Sequence, residues 1–266
     1  MRLEKINHSS GPVFYISPQM REAGVPHAFS TRIGGGSSGP FDSLNLGNPS
    51  GDVLDDRARI LDNYRLLEKA AGLEGRQRCW LHQIHSTVSA RVSGKFPHDH
   101  NAQGDALTTC TPSFSLSVRV GDCCPVLLAS DDGKNVAAIH SGWRGTVGGA
   151  STVALTDLMT MSGLSPNNFL AAIGPCIGFD AFEVGPEVLA EFERAFGPGA
   201  QIRKRADGKG HANIRESIRL ELLRAGIPER NIDTTDRCTH RDANEFFSHR
   251  REKGVTGRMA ALIARK

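Results

Sequence analysis

The chain has 266 residues, 39% of them hydrophobic and 23% charged, which is the composition of a globular protein with a sizeable core. Its 32 basic and 29 acidic residues give a net charge of +3, too balanced for a protein that coats nucleic acid or a membrane surface. Polar residues from Asn7 onwards interrupt the N-terminal segment, and no apolar run reaches the length of a membrane span. We therefore expect a cytoplasmic protein, and its six cysteines, which form no Cys-x-x-Cys, should be free thiols.

In chain order, apolar runs and alternating patterns predict several strands with helices between them. The clearest strands are 13–16, 79–81, 88–92, 114–120 and 136–140. The predicted helices are 55–71, 146–161, 186–196 and 214–225, each bounded by a glycine, a proline or a capping residue. The segments 34–51, 94–104 and 196–211 are predicted to be loops. Strands and helices that alternate, with some strands adjacent, indicate an α/β or α+β layered fold, and we expect one domain over residues 1–266.

Three of the strand-like runs end in residues that commonly bind transition metals. The first ends in His85, with His82 three residues earlier, the second in the pair Cys123 and Cys124, and the third in His140. Two imidazoles and one thiolate suit zinc, and three protein ligands leave a fourth tetrahedral position for water or substrate. The pattern does not choose between the two cysteines.

The spacing of His82 and His85 restricts their roles. Residues three apart on a strand point to opposite faces, so if this segment is a strand only one of the two histidines can face a site. Gln83 would share the face of His85 and could contact a substrate. For Cys123 a second interpretation is a nucleophile activated by a neighbouring imidazole.

Two further segments have features of anion or ligand binding. The run that contains His140 continues through Gly142 and Arg144 into a predicted helix, where backbone N–H groups and a guanidinium could bind phosphate. Arg32 precedes Gly34, Gly35 and Gly36, and glycines allow close approach of the backbone to a ligand. Ordinary loops with solvent-facing arginines are the alternative interpretation of both.

The same segments, taken together, resemble one known family. Eleven short motifs occur in the family's order over about residues 28–260, namely 29–32 with Gly34–Gly35, 43–47, 83–85, 104–106, 121–126, 140–145, 173–177, 182–185, 236–239, 247–251 and 256–258. On these motifs the chain resembles the YfiH-type laccase-domain family, the multicopper-polyphenol-oxidase-like proteins with purine nucleoside phosphorylase activity.

The resemblance implies a fold, a metal site and a reaction. It implies a four-layer α-β-β-α fold and a metal bound by His85, Cys123 and His140, zinc with copper as the alternative. It implies phosphorolysis of adenosine, inosine, guanosine and methylthioadenosine, and deamination of adenosine as a second activity. Arg32, Asn45, Gln83 and Arg144 are our candidates for binding the nucleoside and phosphate, and Asp122 or Glu183 for moving a proton.

Three alternatives to a zinc phosphorylase remain open from the sequence. A copper phenol oxidase would need more histidines than one His2Cys set, and the one His-x-His doublet, His98 and His100, lies in a polar segment. A cysteine-dependent hydrolase that edits cell-wall precursors would use Cys123 as its nucleophile. A binding module without catalysis is the third.

Overall fold

The computed structural model describes residues 2–8, 11–94, 96 and 102–266 of the chain. Within these ranges two six-stranded sheets pack face to face. Across the first sheet the order is β1 (Glu4–Ile6), β2 (Phe14–Ile16), β3 (His27–Ser30), β15 (Met259–Ala264), β7 (Phe114–Val120) and β4 (Gln77–Cys79). Across the second sheet it is β14 (Ile232–Asp233), β10 (Phe169–Ile173), β8 (Cys124–Ser130), β9 (Val136–Ser141), β6 (Ala106–Thr109) and β5 (Ser89–Arg91).

Helices and a small third sheet surround the two large ones. The third sheet consists of β11 (Glu183–Val184), β13 (Gly210–Ala212) and β12 (Ile202–Lys204). The helices are α1 (Pro18–Glu22), α2 (Arg57–Ala70), α3 (Trp143–Gly148), α4 (Ala150–Ser162), α5 (Pro186–Phe196) and α6 (Ile214–Arg224). None of the helices in the described ranges is long and apolar enough to cross a membrane.

Alternation along the central strands builds the layers. Leu116 and Val118 of β7 belong to the core between the sheets, together with Leu127 of β8. On the other side of the first sheet, Leu262 of β15 packs in a cluster with residues of α2. On the other side of the second sheet, strand β8 packs in a third cluster with residues of α4, α5 and α6. The layers are therefore helix, sheet, sheet and helix, which confirms the predicted mixed fold.

Several predicted elements have different bounds in the structure. The strand 114–120 and the helix 186–196 are confirmed at both ends. The helix expected at 146–161 is wrong at its start, because helices α3 and α4 meet at Gly149, whose φ of +81° ends one helix and precedes the next. The segment 196–211, which we expected to be a loop, contains β12 and the first two residues of β13, so this expectation is wrong in part.

Candidate metal centre

The fold brings three potential ligands together from distant parts of the chain. One ligand atom each of His85, Cys123 and His140 lies within 4.8 Å of the others. The Cys123 Sγ is 3.9 Å from His85 Nε2, and the two imidazole rings meet edge to face with centroids 5.0 Å apart. Among the described residues this is the one group of three such side chains close enough to bind a metal ion.

Sheet topology explains the convergence of Cys123 and His140. His140 lies on β9, where it pairs with Pro125 of the neighbouring antiparallel strand β8. Cys123 is in the turn that precedes β8, so the two side chains meet at the same end of the second sheet. His85 lies in the loop that follows β4 of the first sheet. The centre therefore lies at one end of the stacked sheets.

The structure corrects our interpretation of the segment around His82. Strand β4 ends at Cys79, so His82 and His85 do not lie together on a strand and its alternation does not apply to them. His85 has a φ of +59°, a left-handed conformation that is unfavourable for a residue with a Cβ. Such conformations cost about 1–3 kcal/mol and persist where surrounding contacts hold them, often at functional sites.

Asp105 supplies those contacts. Its carboxylate accepts hydrogen bonds from the backbone N–H groups of His85 at 3.1 Å and Ser86 at 2.6 Å, and from the Ser86 hydroxyl. The same carboxylate accepts one from His140 Nδ1 at 2.8 Å, which directs Nε2 of that ring towards the centre. A carboxylate behind a ligand histidine fixes its orientation and tautomer in many metal sites. Sequence reasoning gave Asp105 no role, although it lies in one of the motifs.

The ionisable groups of the centre shift one another's pKa values, although His85 is exposed and Cys123 only half-buried. Burial disfavours the charged imidazolium of His140, but the Cys123 thiolate and the Asp105 carboxylate outweigh it and raise the pKa of His140 to about 9. Burial disfavours the thiolate too, yet His140 and His85 lower the pKa of Cys123 to about 6. The pKa of Asp105 falls to about 2, because hydrogen bonds from His140 and Ser86 outweigh its burial. Without metal, the centre at neutral pH is thus a thiolate beside an imidazolium.

The donor set and its spacing fit zinc. In a tetrahedral site with bonds of about 2.3 Å to sulfur and about 2.0 Å to nitrogen, those two atoms lie roughly 3.6 Å apart. The observed distance between Cys123 Sγ and His85 Nε2 is 3.9 Å. Gly142 faces the same space, since a Cβ there would lie 3.0 Å from both Cys123 Sγ and the His85 ring. Only a glycine leaves this approach to the ligands open.

Two of the proposed substrate-binding residues are engaged in structural hydrogen bonds. The Gln83 amide donates to the Arg119 carbonyl at 2.7 Å and accepts from the Arg119 N–H at 2.8 Å, which fixes the loop to the end of β7. Asn45 is fully buried; it donates to Asp55 and accepts from the N–H groups of Gly47 and Arg258. A direct contact of either residue with substrate stays a prediction.

Arg32 and the glycines after it also hold parts of the chain together. The Arg32 guanidinium donates to the carbonyls of Asp42 and Ala243 and lies over the Phe247 ring. A Cβ at Gly34 would lie 2.2 Å from the Gly11 carbonyl oxygen, so the close approach that needs glycine is to the chain's own backbone.

Arg144 is exposed in the first turn of α3 and stacks on Trp143, with 4.2 Å from its guanidinium carbon to the ring centroid. It lies three residues after Ser141, the last residue of β9, which is the strand that carries His140. A second arginine near the centre, Arg258, was not predicted from the sequence. It packs against Gly121, and its charge interacts with Asp122 and Cys123.

Neither candidate for moving a proton has a free carboxylate. Asp122 is buried and accepts hydrogen bonds from the hydroxyls of Thr239 and Ser248 and from the N–H of Arg250. These bonds hold the turn before Cys123, where Asp122 itself has a φ of +92°. Glu183 forms ion pairs with Arg205 and Lys209. The doublet of His98 and His100 lies outside the described residues.

Comparison with known proteins places the chain among related sequences and structures. A model of the family described as multi-copper polyphenol oxidoreductase laccase matches residues 26–266. A purine nucleoside phosphorylase of Deinococcus radiodurans is 37% identical over 243 residues, covering 90% of this chain and 88% of its own. The purine nucleoside phosphorylase YfiH of Escherichia coli is 37% identical over 249 residues, covering 93% and 97%.

Two solved structures superimpose on nearly the whole chain. The crystal structure of YlmD from Geobacillus stearothermophilus superimposes with a TM-score of 0.87 at 30% identity, covering 98% of each chain. The crystal structure of a hypothetical protein YfiH from Bacillus licheniformis gives 0.86 at 26% identity, covering 98% of this chain and 99% of the other.

Proposed function

The chain belongs to the multi-copper polyphenol oxidoreductase laccase family, and on that premise we propose that it is a zinc-dependent purine nucleoside phosphorylase. Its substrates are purine nucleosides, among them adenosine, inosine, guanosine and methylthioadenosine, with inorganic phosphate. The products are the free base and ribose 1-phosphate. The observation that carries the proposal is the convergence of His85, Cys123 and His140 in a chain whose relatives are named purine nucleoside phosphorylases.

His85, Cys123 and His140 would hold the metal, with Asp105 fixing the ring of His140. When bound, zinc polarises a coordinated oxygen of phosphate or substrate and lowers the pKa of a coordinated hydroxyl. The donor set of two imidazoles and one thiolate is one that zinc accepts in catalytic sites. Copper is the alternative metal, and metal analysis of the purified protein distinguishes the two.

The chain's own residues would position the phosphate and stabilise charge. Phosphorolysis passes through a cation-like sugar, so a phosphate held beneath the anomeric carbon gains from proximity and orientation. Arg258, whose charge interacts with Cys123, and Arg144, which follows the strand of His140, are the main candidates for binding it. Arg32 is the third candidate. Asn45 and Gln83 hold the surrounding loops in place by hydrogen bonds to the backbone, and those loops would orient the substrate.

A specific observation favours a second candidate function, a cysteine-dependent hydrolase. Cys123, His140 and Asp105 form a thiolate, an imidazole and a carboxylate in series, which is the arrangement of a nucleophile, base and orienting acid. That mechanism leaves His85 without a role, although its Nε2 is 3.9 Å from the same sulfur. The second imidazole favours the metal.

The experiment is to incubate the purified protein with inosine in the presence and absence of phosphate. We expect hypoxanthine and ribose 1-phosphate only when phosphate is present, and loss of both in His85→Ala. Cys124→Ser, a change one residue from a ligand, is the matched control and should retain activity. Release of base without phosphate would show hydrolysis of the nucleoside and contradict the phosphorylase.

Adenosine as substrate tests deamination in the same assay. Deamination produces inosine and ammonia and needs no phosphate, whereas phosphorolysis produces adenine. Because Asp122 and Glu183 are held by other groups, a water molecule or a substrate hydroxyl would have to move the proton. Oxidation of a phenol without any reaction of nucleosides would overturn the proposal in favour of the oxidase.

A further inference from the structure

A cavity that none of the three candidate metal ligands lines lies on the outer face of the first sheet, beside α2. Its volume is about 400 Å³, which is within the range of pockets that bind small molecules. The residues that matter to its chemistry are Arg57, Leu61, Tyr64, Arg78, Trp80 and Arg119. Arg119 faces it because its neighbours Val118 and Val120 on β7 point the other way, into the core between the sheets.

The charge of this cavity is unbalanced. Three guanidinium groups line it, and none of the lining residues in the described part of the chain is acidic. Arg78 forms an ion pair with Glu68 at 2.6 Å, and its guanidinium carbon lies 3.6 Å from the centre of the Tyr64 ring. Arg57 and Arg119 make no ion pair within 4 Å with another described residue. Two positive charges therefore face the cavity without a counter-charge.

Arg119 is held in place before any ligand arrives. The Gln83 amide forms hydrogen bonds with both the carbonyl and the N–H of Arg119. The Arg119 side chain also packs closely on Gly47, where a Cβ would lie only 2.7 Å from its Cδ. The guanidinium carbon is 5.6 Å from the centre of the Trp80 ring. A cation that is already ordered loses little conformational freedom on binding an anion, which favours affinity.

Apolar and aromatic side chains lie beside these cations. Leu61 is 49% exposed on α2 and lines the cavity, one helical turn after Arg57. Trp80 adds aromatic surface next to Arg119. Guanidinium groups beside apolar and aromatic side chains suit a ligand with one anionic group and one flat apolar part.

We propose that this cavity binds a phosphorylated aromatic compound of the size of a nucleoside monophosphate. The phosphate binds Arg57 and Arg119, and the ring lies between Leu61 and Trp80. The proposal does not rest on phosphorolysis, because none of these residues is a candidate metal ligand. It concerns a binding event that persists when the metal centre is disabled.

Calorimetric titration tests the ligand class. The probes are AMP, adenosine, ribose 5-phosphate and inorganic phosphate, each titrated into the intact chain and into Cys123→Ser, which cannot turn them over. We expect AMP to bind at least about tenfold more tightly than each of the other three, since only AMP carries both groups. Loss of AMP binding in Cys123→Ser would place the ligand at the metal centre and overturn the proposal.

Single arginine variants test the site. Arg119→Gln should weaken the binding of AMP about tenfold and leave the binding of adenosine nearly unchanged, because it removes one charge-assisted contact to phosphate. Arg57→Gln, which changes an exposed side chain, should act in the same direction. The matched control is Arg65→Gln on the same helix, whose arginine pairs with Asp62 outside the cavity.

An equal loss in Arg65→Gln and Arg119→Gln would show that only the overall charge matters, and would contradict a defined site. Equal binding of AMP and ribose 5-phosphate would contradict the role of Leu61 and Trp80. Neither outcome would change the result of the phosphorolysis assay, so failure of this proposal can be distinguished from failure of the proposed function.

Discussion

Two neighbouring cysteines lie in regions of opposite character. Cys123 meets two imidazoles at the end of the sheets, and its pKa falls to about 6. Cys124, the first residue of β8, is fully buried in the core beneath the helices, where burial and the Cys176 thiol raise its pKa well above the usual range. The comparison teaches that position decides which thiol can act as a ligand, since Cys123 lies in the turn before β8 and Cys124 is the first residue of the buried strand.

The region around Cys124 contains two further thiols, those of Cys176 and Cys238. A hydrogen bond from Cys124, together with the charge and hydrogen bond of Arg215, lowers the pKa of Cys176 to about 7 against the effect of burial. Cys238 accepts hydrogen bonds from the N–H groups of Gly178 and Arg241. These sulfur atoms satisfy backbone and guanidinium donors in the interior, so their role is structural.

The largest contrast should appear in metal content. Cys123→Ser removes the thiolate and should abolish stoichiometric zinc binding after dialysis against a weak chelator, while Cys124→Ser should bind zinc as the unaltered chain does. Mass spectrometry of the metal in both variants provides the measurement. Equal metal content in the two variants would show that Cys123 is not a ligand.

Thiol alkylation should separate the two cysteines by at least about a hundredfold in metal-free protein. The rate at Cys123 should rise about tenfold per pH unit up to its pKa of about 6 and level off above it, because the thiolate is the nucleophile. Cys124 and Cys176 should stay unmodified, since both are fully buried. Peptide mapping after timed iodoacetamide treatment gives the rates; a profile that rises only near pH 9 would contradict the thiolate–imidazolium pair.

Asp105→Asn should weaken zinc binding by about 10–100-fold while Cys123 and both histidines stay in place. The amide cannot serve His140 Nδ1 and the N–H groups of His85 and Ser86 as the carboxylate does. Competition with a chromophoric chelator measures the affinity. Asp132→Asn, a change of a carboxylate on an exposed turn, is the control and should leave the affinity unchanged.

The smallest effect is a release of protons. At pH 7.5, below the His140 pKa of about 9 and above the Cys123 pKa of about 6, the metal-free centre has a protonated His140 beside a thiolate. Zinc binding should therefore release about one proton from His140, and none from Cys123. Calorimetry in buffers of different ionisation enthalpy counts the protons. An unchanged count in His140→Gln would assign the proton elsewhere.

Local patterns in the sequence predicted much of the framework. The seven-residue strand β7 and the helix α5 have strong periodicity and clear ends, and the structure confirms both. Shorter elements were less predictable: β12 and β13 are three residues each, too short for a pattern, and pair with each other inside a segment that we expected to be a loop. The break at Gly149 depends on one left-handed residue, which a helical pattern tolerates.

The sequence alone identified the segments that carry metal-binding residue types, and the resemblance to a family selected His85, Cys123 and His140 among them. Only the tertiary structure decided how they meet. Asp105 shows the reason: its carboxylate joins a residue 20 positions earlier to one 35 positions later, and such contacts leave no periodic trace. Side-chain periodicity reports which face of an element is buried, whereas the partners across that face depend on the packing of the sheets.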